Sequence, residues 1–459
     1  PRCAPRSAKR RSQTSGETSR QGLTAAAQTG TGRCESLPSE HRGSPIGYHL
    51  VAMHRISSTL AATALVSLPL LAQSSADAAL QVTATASTNP AAITLHWPGD
   101  PAASHYTINK RLAGAPNWNA PTSVQGGNTA MMWADPSVAT GARYEYRLMQ
   151  WGTTAANSHI TAGVEADLIT SRGRLILLVD DTQAAALANG VELLISDLVG
   201  DGWQVVRHDV SRTASAAAIK ALIVNEYNAA PTQTNALLLL GHVPVPYSGN
   251  LNPDGHPDHR GAWPADVYYG DIDGNWTDVS INNPTATRTA NHNVPGDGKF
   301  DQTIIPSQVE LMVGRVDLAN LPAFGASETT LLADYLAKDH AYRHKQFSVD
   351  QRAVIDDHFG YFNGEAFAAS GWRNFSALVG PGNVSTGDYF TTLNTTTGNG
   401  YVWSYGCGGG TYTSANGIGN TNDFTASNNR GVFTILFGSY FGDWDSTNNF
   451  LRAPLGSGW

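Results

Sequence analysis

The stretch Arg174-Leu-Ile-Leu-Leu-Val-Asp-Asp181 is a continuous apolar run that ends in two acidic residues. A second strand is predicted at 203–210 and a third, fully apolar one at 236–243, and segments of helical character separate the three. Near-continuous apolar strands that alternate with helices are typical of a parallel sheet covered by helices on both faces. Further runs occur at 309–316, 352–357, 400–405 and 431–438. We therefore predict an α/β domain with a mostly parallel sheet over residues 174–459, and the lack of a closing helix before its end leaves a C-terminal truncation open.

Polar residues come directly after several of these runs. In open α/β sheets, ligands and chemistry collect beyond the carboxyl ends of the strands. The residues at such positions are Asp180, Asp181, His242, Asp356, Asp357, His358, Cys407 and Ser439. A nucleophile or a base of this domain is expected among them.

An earlier segment, residues 79–168, has a different pattern. Apolar and polar residues alternate in Ile93–Trp97, in His105–Asn109 and in Arg143–Leu148, and clusters of Pro, Gly and Asn separate the alternating runs. Alternation with a period of two residues in several short runs predicts an all-β sandwich.

This segment resembles the fibronectin type III family. The resemblance rests on Trp97 in an early strand and on the loop Asp135–Gly141, which leads into Tyr144. It implies a fibronectin type III-like sandwich with a tyrosine corner at Tyr144. Adhesion or glycan binding is one function of such a domain, and a passive spacer beside a second domain is the other.

The composition of the first 78 residues sets them apart from the fold. Residues 1–52 are rich in Arg, Ser and Thr and have no hydrophobic period, so we interpret them as translated upstream sequence or a disordered segment. From Met53 a short basic start precedes an apolar run, and Ala76-Asp77-Ala78 has the small-x-small pattern of a cleavage site. Residues 53–78 are therefore predicted to be a signal peptide. We expect a secreted or cell-surface protein that is exported in the bacterial manner, begins near Ala79 and has no membrane span after signal removal.

The charge balance argues against nucleic acid as a partner. The chain has 29 Lys and Arg residues and 37 Asp and Glu residues. Eight basic and three acidic residues lie in 1–52 and one of each in 53–78, which leaves 20 basic and 33 acidic residues from Ala79 onward, a net charge of −13. An acidic surface repels a phosphate backbone. The expected partner is a protein or peptide substrate, or an extracellular polymer.

Three ordered motifs carry a resemblance to an enzyme family. They are the strand end Leu237–Gly241, the loop Tyr268-Tyr-Gly-Asp-Ile-Asp-Gly-Asn-Trp-Thr-Asp278 and the strand Val309-Glu-Leu-Met-Val-Gly-Arg315. In this order they are similar to motifs of the gingipain-like cysteine peptidases. The resemblance covers about residues 174–445 and implies a caspase-like fold and cysteine peptidase activity.

The sequence departs from this family at both catalytic positions. Where the family has a Gly-His-Gly turn with the catalytic His, this chain has Gly406-Cys407-Gly408. Where the family has a nucleophilic Cys before a Gly-Asp-aromatic step, this chain has Ser439 before Gly442-Asp443-Trp444. The family's pair of Cys and His is therefore absent in its usual places.

Cys407 is the only cysteine of the predicted exported protein, because the other two lie in residues 1–52. A thiolate nucleophile needs a lowered pKa, a base and access to substrate. The glycines around Cys407 offer access and backbone N–H groups for an oxyanion. We therefore predict a rearranged site with Cys407 as nucleophile and His358 as its base, with His242 as the second choice. Two alternatives stay open, a buried structural Cys407 and Ser439 as nucleophile with a remote His.

The loop at 271–278 resembles the opening of a calcium loop, because acidic and amide side chains recur around a glycine bend. The Glu that closes an EF-hand is missing, so acidic residues near position 300 are expected to complete the site. We predict a structural calcium ion, with a solvated acidic turn as the alternative. The predicted ligands are Asp271, Asp273, Asp278, Asp297 and Asp301.

Two histidine motifs are interpreted as structure rather than as metal sites. His256-Pro-Asp-His259 has the spacing of half a zinc site but lies in a loop rich in Pro and Gly. His340 and His344 lie one helical turn apart, and the residues between them lack the Glu of a zinc peptidase helix. We predict loop residues in the first case and an ordinary helix face in the second.

Two function classes follow from these patterns. One is an exported, gingipain-like hydrolase of the cysteine peptidase type with a rearranged site at Cys407. The other is a catalytically inactive surface or secreted protein that uses the same fold for binding or adhesion. The order of the catalytic positions favours the second class, and the single thiol in a glycine turn favours the first.

Overall fold

The computed structural model describes residues 74–125, 131–166, 170–362, 365–394 and 398–458. The predicted upstream segment and residues 53–73 of the predicted signal peptide lie outside the described residues. No helix within the described ranges combines the length and the apolar character that crossing a membrane requires.

Residues 83–163 form seven antiparallel strands in two sheets. The strands are β1 (Thr83–Thr88), β2 (Ala91–Trp97), β3 (Ala103–Leu112), β4 (Thr122–Gln125), β5 (Met131–Asp135), β6 (Arg143–Gly152) and β7 (Ala156–Gly163). One sheet has the order β1-β2-β5 and the other has the order β4-β3-β6-β7. Alternate residues of β2 and β6 are buried and belong to one hydrophobic cluster, so the two sheets share a core.

Tyr144, at the start of β6, makes a contact back along the chain. Its hydroxyl accepts a hydrogen bond from the backbone N–H of Ala139 at 3.0 Å. A hydrogen bond of this kind, to the backbone a few residues upstream, is the contact that a tyrosine corner makes.

Residues 173–343 form a first α/β unit. Its elements are β8 (Gly173–Asp180), α1 (Asp181–Ala184), α2 (Ala188–Gly200), β9 (Trp203–Val210), α3 (Ala216–Ala229), β10 (Thr234–Leu240), β11 (Tyr247–Leu251), β12 (Gly261–Pro264), α4 (Val267–Gly270), β13 (Met312–Val316) and α5 (Glu328–Arg343). The four long strands are parallel and have the order β9-β8-β10-β13. The segments that begin at 174, 203 and 236 are the strands β8, β9 and β10, as predicted.

Both faces of the central strands of this sheet are buried, which explains the uniformly apolar runs 175–179 of β8 and 236–240 of β10. In β8, Leu175, Leu177 and Val179 pack with α2 and α5. Ile176 and Leu178 lie on the opposite face and pack with α3. Each strand therefore contributes to two hydrophobic clusters, as expected for a parallel sheet between helices.

Helix α5 follows β13 and lies against α2. It begins after Ser327, whose side chain accepts a hydrogen bond from the N–H of Thr330 and so caps the helix. Leu332 and Leu336 on one face of α5 are buried against α2. The last turn of α5 thus lies beside the C-terminal half of α2.

Residues 349–456 form a second α/β unit. Its elements are β14 (Val349–Asp357), α6 (Ala369–Val379), β15 (Val384–Thr386), α7 (Tyr389–Leu393), β16 (Gly400–Cys407), β17 (Gly410–Thr411), β18 (Ser414–Ala415), β19 (Gly419–Asn420), α8 (Thr421–Ala426), β20 (Gly431–Phe437) and α9 (Ala453–Gly456). The parallel sheet of this unit has the order β15-β14-β16-β20.

The two parallel sheets have the same topology. In each, the first strand of the unit lies between the second and the third, and the fourth is at the edge beside the third. Our prediction of one sheet was wrong, because β14 pairs with β15 and β16 rather than with β13 among the described strands. An apolar run shows that a strand is covered on both faces, but it does not show which strand is its neighbour.

Helix α6 links the second sheet to the sandwich. Phe375 and Trp372 on α6 belong to the same hydrophobic cluster as Ile355 of β14 and Tyr405 of β16. The same cluster includes Ala79, which precedes β1, and α6 also contacts β7.

Candidate functional site

The loop after β20 carries Ser439 at the carboxyl edge of the second sheet. β20 pairs with β16 up to Phe437, and Ser439 follows two residues later with a half-buried side chain. The next residue, Tyr440, has a φ of +66°, the left-handed region that non-glycine residues rarely occupy. Backbone strain of this kind costs about 1–3 kcal/mol and is concentrated at functional sites.

His256 lies against Ser439 although 183 residues separate them in the chain. Its Nε2 is 3.0 Å from the Ser439 Oγ, which is hydrogen-bond distance. The backbone of His256 is extended, with φ −88° and ψ 115°, as the following Pro257 favours. The imidazole also stacks on the Tyr440 ring, with 5.0 Å between ring centroids and 25° between planes. Ser439 and His256 therefore form a hydroxyl–imidazole pair.

Asp254 ties the loop of His256 to the turn of Ser439. Its Oδ1 accepts a hydrogen bond from the N–H of His256 at 3.3 Å. Its Oδ2 accepts one from the N–H of Tyr440 at 3.2 Å and contacts the His259 Nδ1 at 2.6 Å. One carboxylate thus positions the backbone on both sides of the hydroxyl–imidazole pair.

Beneath this pair, His259 is buried between two carboxylates. Its Nδ1 contacts Asp254 at 2.6 Å, and its Nε2 contacts Asp443 at 2.5 Å. Burial disfavours the imidazolium, but the hydrogen bonds to Asp443 and Asp254 outweigh it, so the pKa of His259 is raised. Asp443 also pairs with Arg288 at 3.0 Å and accepts hydrogen bonds from Asn291. This buried ionic network supports the loop that carries His256.

The turn after β16 packs backbone to backbone on the Ser439 loop. A Cβ on Gly410 would lie 2.2 Å from the carbonyl oxygen and 2.6 Å from the amide nitrogen of Ser439. A Cβ on Gly438 would lie 2.9 Å from the carbonyl oxygen of Gly408. Only glycine permits such contacts, so these glycines serve the positioning of Ser439 and not access to Cys407.

Cys407 is buried at the end of the central strand β16. Its Sγ–H donates to the Asp357 Oδ1 at 3.2 Å, and the residue is 0% exposed. Burial raises the pKa of the thiol, and the nearby Asp357 carboxylate raises it further. The N–H of Gly408, which we expected to face an oxyanion, donates to the carbonyl oxygen of Phe437. The expectation of an accessible thiol with a lowered pKa was therefore wrong, and this geometry favours the structural alternative for Cys407.

We expect the native thiol of Cys407 to be protected from iodoacetamide at neutral pH and to react only on unfolding. The reason is that the thiolate is the reactive form, and burial beside Asp357 disfavours it. Replacing Cys407 by leucine should also overpack the sheet and lower the free energy of unfolding by about 1–3 kcal/mol. Mass spectrometry after timed alkylation of folded and urea-unfolded protein measures the protection. Faster alkylation of the folded protein would restore Cys407 as the candidate nucleophile.

The side chains of His358 and His242, the predicted bases, contact carboxylates and not the Cys407 thiol. The His358 Nε2 is 3.0 Å from the Asp356 Oδ1, and the backbone N–H of His358 donates to the carbonyl oxygen of Cys407 at 2.9 Å. His242 lies at the carboxyl edge of the first sheet, where its Nδ1 is 2.8 Å from the Asp317 Oδ2. The hydrogen bond to Asp317 raises the pKa of His242, against the effect of burial. Their catalytic roles remain predictions, and within the described residues neither ring contacts Ser439 or the Cys407 thiol.

The predicted calcium ligands fall into separate groups. Asp278 accepts hydrogen bonds from the N–H groups of Gly296 and Gly298 at 2.7 Å, and Asp297 accepts from the N–H of Lys299 at 3.0 Å. Burial favours protonation of Asp301, but hydrogen bonds from the N–H groups at 279–281 outweigh this and lower its pKa. These three side chains serve as loop caps, and among the described residues the group near enough to share an ion with Asp271 and Asp273 does not include them.

Asp271 and Asp273 do lie together, and Glu310 joins them. Within the described residues, these three carboxylates are near enough to share one ion. Asp271 is fully buried and already accepts hydrogen bonds from the N–H of Gly274 at 3.1 Å and from the Trp276 Nε1 at 3.0 Å. The sequence motif missed Glu310 because it lies outside the acidic loop, directly before β13.

Comparison with known proteins gives a distant structural similarity. No protein-family model and no curated protein matches the chain. The crystal structure of the Arg-specific cysteine proteinase gingipain R is 13% identical over 62% of this chain and 60% of that chain, with a TM-score of 0.39. The complex of the RgpB pro- and mature domains from Porphyromonas gingivalis is 14% identical over 62% of each chain, with a TM-score of 0.38. This chain thus spans about three-fifths of the length of these gingipain structures.

A Fn3-like protein from Clostridium thermocellum is similar to a shorter part of the chain. It is 21% identical over 17% of this chain and 83% of that chain, with a TM-score of 0.14.

Proposed function

We propose that the chain is a hydrolase that cleaves ester or amide bonds with Ser439 as nucleophile and His256 as general base. The observation that carries the proposal is the 3.0 Å contact between the Ser439 Oγ and the His256 Nε2. A serine hydroxyl is a weak nucleophile alone and becomes effective when an adjacent imidazole accepts its proton. In this proposal Ser439 takes the place that the sequence analysis gave to Cys407.

The chemistry requires a neutral His256 whose proton is on Nδ1. The Ser439 Oγ attacks the carbonyl carbon of the substrate while its proton moves to the His256 Nε2. The imidazolium then gives that proton to the departing alcohol or amine as the bond to the carbonyl carbon breaks. Water, deprotonated by the same Nε2, attacks the acyl group on Ser439 and releases the acid. The free hydroxyl and the neutral imidazole are restored.

The surroundings hold both groups in place before substrate arrives. The carboxyl end of β20, the left-handed Tyr440 and the backbone contact with Gly410 restrict Ser439. Stacking on Tyr440 and the backbone hydrogen bond to Asp254 restrict His256. Within the described residues, the hydrogen bond of the His256 ring is the one to Ser439, so the proposed site is a dyad in which stacking and a backbone contact orient the imidazole.

Peptide bonds are the first substrates to test, because the motifs at 237–241, 268–278 and 309–315 resemble those of gingipain-like peptidases. A fluorophosphonate reports directly on an activated serine, since it reacts with the hydroxyl only when a base assists. Labelling of the folded protein that disappears in Ser439→Ala supports the proposal, and a lack of labelling contradicts it.

We also propose the finer domain assignments that the sequence motifs imply. The sheet orders β1-β2-β5 and β4-β3-β6-β7, with the Tyr144 contact, support a fibronectin type III-like domain. The repeated strand order of the two parallel sheets supports a gingipain-like, caspase-like domain, and Ser439 follows the last strand of the second sheet.

A catalytically inactive binding protein is the second candidate. The observation that favours it is on β6, where the half-exposed Trp151 stacks on His105 with 6.0 Å between centroids and 7° between planes. Its Nε1 donates to the Thr107 Oγ1 at 3.0 Å, which holds the ring flat on the sheet. A flat, exposed aromatic surface suits contact with an extracellular polymer such as a glycan.

Export remains a proposal that rests on residues 53–78. We expect the mature protein to begin at Ala79 or within a few residues of it, because Ala76-Asp77-Ala78 is the best-placed cleavage motif. N-terminal sequencing of protein from the medium or the cell surface measures this. Material that begins at Pro1 or Met53 would contradict both the signal peptide and the export.

Calcium remains a proposal for the group Asp271, Asp273 and Glu310. If they bind one ion, calcium at a hundredfold excess over its dissociation constant should stabilise the protein by about 2.7 kcal/mol. Chelation should then lower the melting temperature, and Asp273→Ala should abolish the difference. Asp278→Ala, which removes an acidic residue of the same loop but outside the group, is the control. An unchanged melting temperature with chelator would contradict the calcium proposal. The three carboxylates would then form only a hydrogen-bonded turn.

A further inference from the structure

A group of two imidazoles and one carboxylate lies between α2 and α5, away from the Ser439 loop. Asp197 is in the C-terminal half of α2, and His340 and His344 are at the end of α5. The His340 Nδ1 is 2.8 Å from one oxygen of Asp197, and the His344 Nε2 is 2.7 Å from the other. All three ligand atoms lie within 4.8 Å of one another.

The Asp197 carboxylate is nearly buried and has no Lys or Arg among its direct partners in the described structure. Its side chain is 4% exposed, and its hydrogen-bond partners are the two imidazoles. The neighbouring Arg343 is engaged by Asp339 and Asp201 instead. In the described structure, the two Asp197 oxygens therefore face the two imidazole rings, which places oxygen and nitrogen ligands side by side.

The donor set selects a class of metal. Two imidazole nitrogens and one carboxylate oxygen suit zinc and similar first-row transition metals, whereas calcium and magnesium prefer oxygen ligands alone. Bond lengths of about 2.0–2.2 Å to such an ion would place the donor atoms roughly 3.3 Å apart. The contacts of 2.7 and 2.8 Å must therefore open by about half an ångström. His344 can supply this movement because its side chain is 53% exposed.

We propose that Asp197, His340 and His344 bind a divalent transition metal of the zinc type. The bound ion cross-links α5 to α2. The ion replaces the two ring protons that now point at Asp197, and those protons move to the His340 Nε2 and the His344 Nδ1. Water completes the coordination on the exposed side of His344. The site is independent of the Ser439 and His256 pair, and its role is structural.

The sequence pattern alone did not predict this group of three residues. His340 and His344 have the spacing of two ligands on one helix face, but the third ligand precedes them by 143 residues, on another helix. The packing of α5 on α2 brings it into place.

The test is a calorimetric titration of the full chain, without an affinity tag, with zinc chloride at neutral pH. We expect one tight site per chain, and we expect His344→Ala and Asp197→Asn each to weaken it by about 100-fold or more, since changes even outside the ligand shell cost 10–100-fold. His208→Ala is the matched control, because His208 also contacts a carboxylate, Glu226, at 3.1 Å but belongs to no such group. Cobalt(II) should give visible absorption bands in the parent protein and not in His344→Ala.

A second readout is thermal stability. Zinc should raise the melting temperature of the parent protein and of His208→Ala, but not that of His344→Ala. His344 is a half-exposed residue at the helix end, so its variant is expected to fold even if Asp197→Asn does not. Equal zinc binding by the parent and His344→Ala, or no zinc binding by the parent, would overturn the proposal.

Discussion

Ser439→Ala should lower the hydrolysis of a peptide or ester substrate by about 10³-fold or more, because it removes the atom that forms the covalent bond. His256→Ala should cause a loss of similar size, since a nucleophile and its base act as one unit and their effects are not additive. The double variant should therefore be little worse than either single variant. The measurement is kcat/KM on a fluorogenic substrate that the parent protein turns over.

Two control variants make this result specific to the hydroxyl–imidazole pair. Ser414→Ala removes a hydroxyl from the neighbouring hairpin, where it is hydrogen-bonded to Thr411, and it should leave kcat/KM nearly unchanged. Cys407→Ala should change stability more than catalysis, because the thiol is buried and bonded to Asp357. Loss of hydrolysis in Cys407→Ala but not in Ser439→Ala would reverse the order of nucleophiles. If neither change affects hydrolysis, the binding-protein candidate with its surface at Trp151 replaces the enzyme.

The second large effect is on stability, and it concerns His259. Replacing His259 by alanine should lower the free energy of unfolding by about 3–5 kcal/mol, because it removes one partner from two buried carboxylates, Asp254 and Asp443. Asp443 is fully buried, and the Asp254 side chain is 8% exposed. Urea unfolding at pH 6 measures the difference. The control is His208→Ala, whose side chain is 31% exposed and which should cost at most about 1 kcal/mol.

The stabilisation by His259 should also depend on pH. The pKa of His259 is higher in the folded protein than the unfolded value of about 6.5. Its contribution is therefore fully present below about pH 6.5 and is lost as the pH rises through the folded-state pKa. The difference in stability between the parent and His259→Ala should shrink on going from pH 6 to alkaline pH. A difference that grows over this range would mean that His259 is neutral between its two carboxylates.

The strands of the α/β units could be predicted from the sequence, but their arrangement could not. The apolar runs that became β8 and β10 are readable because burial on both faces excludes polar residues. The division into two sheets depends on which strand edges meet, and a uniformly apolar run carries no such information.

The candidate site shows the same limit at the level of single residues. Ser439 was identified by its place after a strand, but His256 was interpreted as an ordinary loop residue. Its contact with Ser439 depends on how the two loops fold against each other, with Asp254 bonded to the backbone of both. The glycines beside Cys407 suggested access to the thiol. In the structure Gly410 instead accommodates the backbone of Ser439. Sequence spacing does not distinguish these two uses of a glycine.

The most direct test of the hydroxyl–imidazole pair is to locate the covalent adduct of a fluorophosphonate by peptide mapping. The folded protein is incubated with the reagent at neutral pH, digested and analysed by mass spectrometry, in parallel with His256→Ala and Ser414→Ala. The account predicts one adduct on Ser439 in the parent and in Ser414→Ala, and a reaction slowed by orders of magnitude in His256→Ala. An adduct elsewhere, or equal labelling of Ser439 with and without His256, would contradict the account.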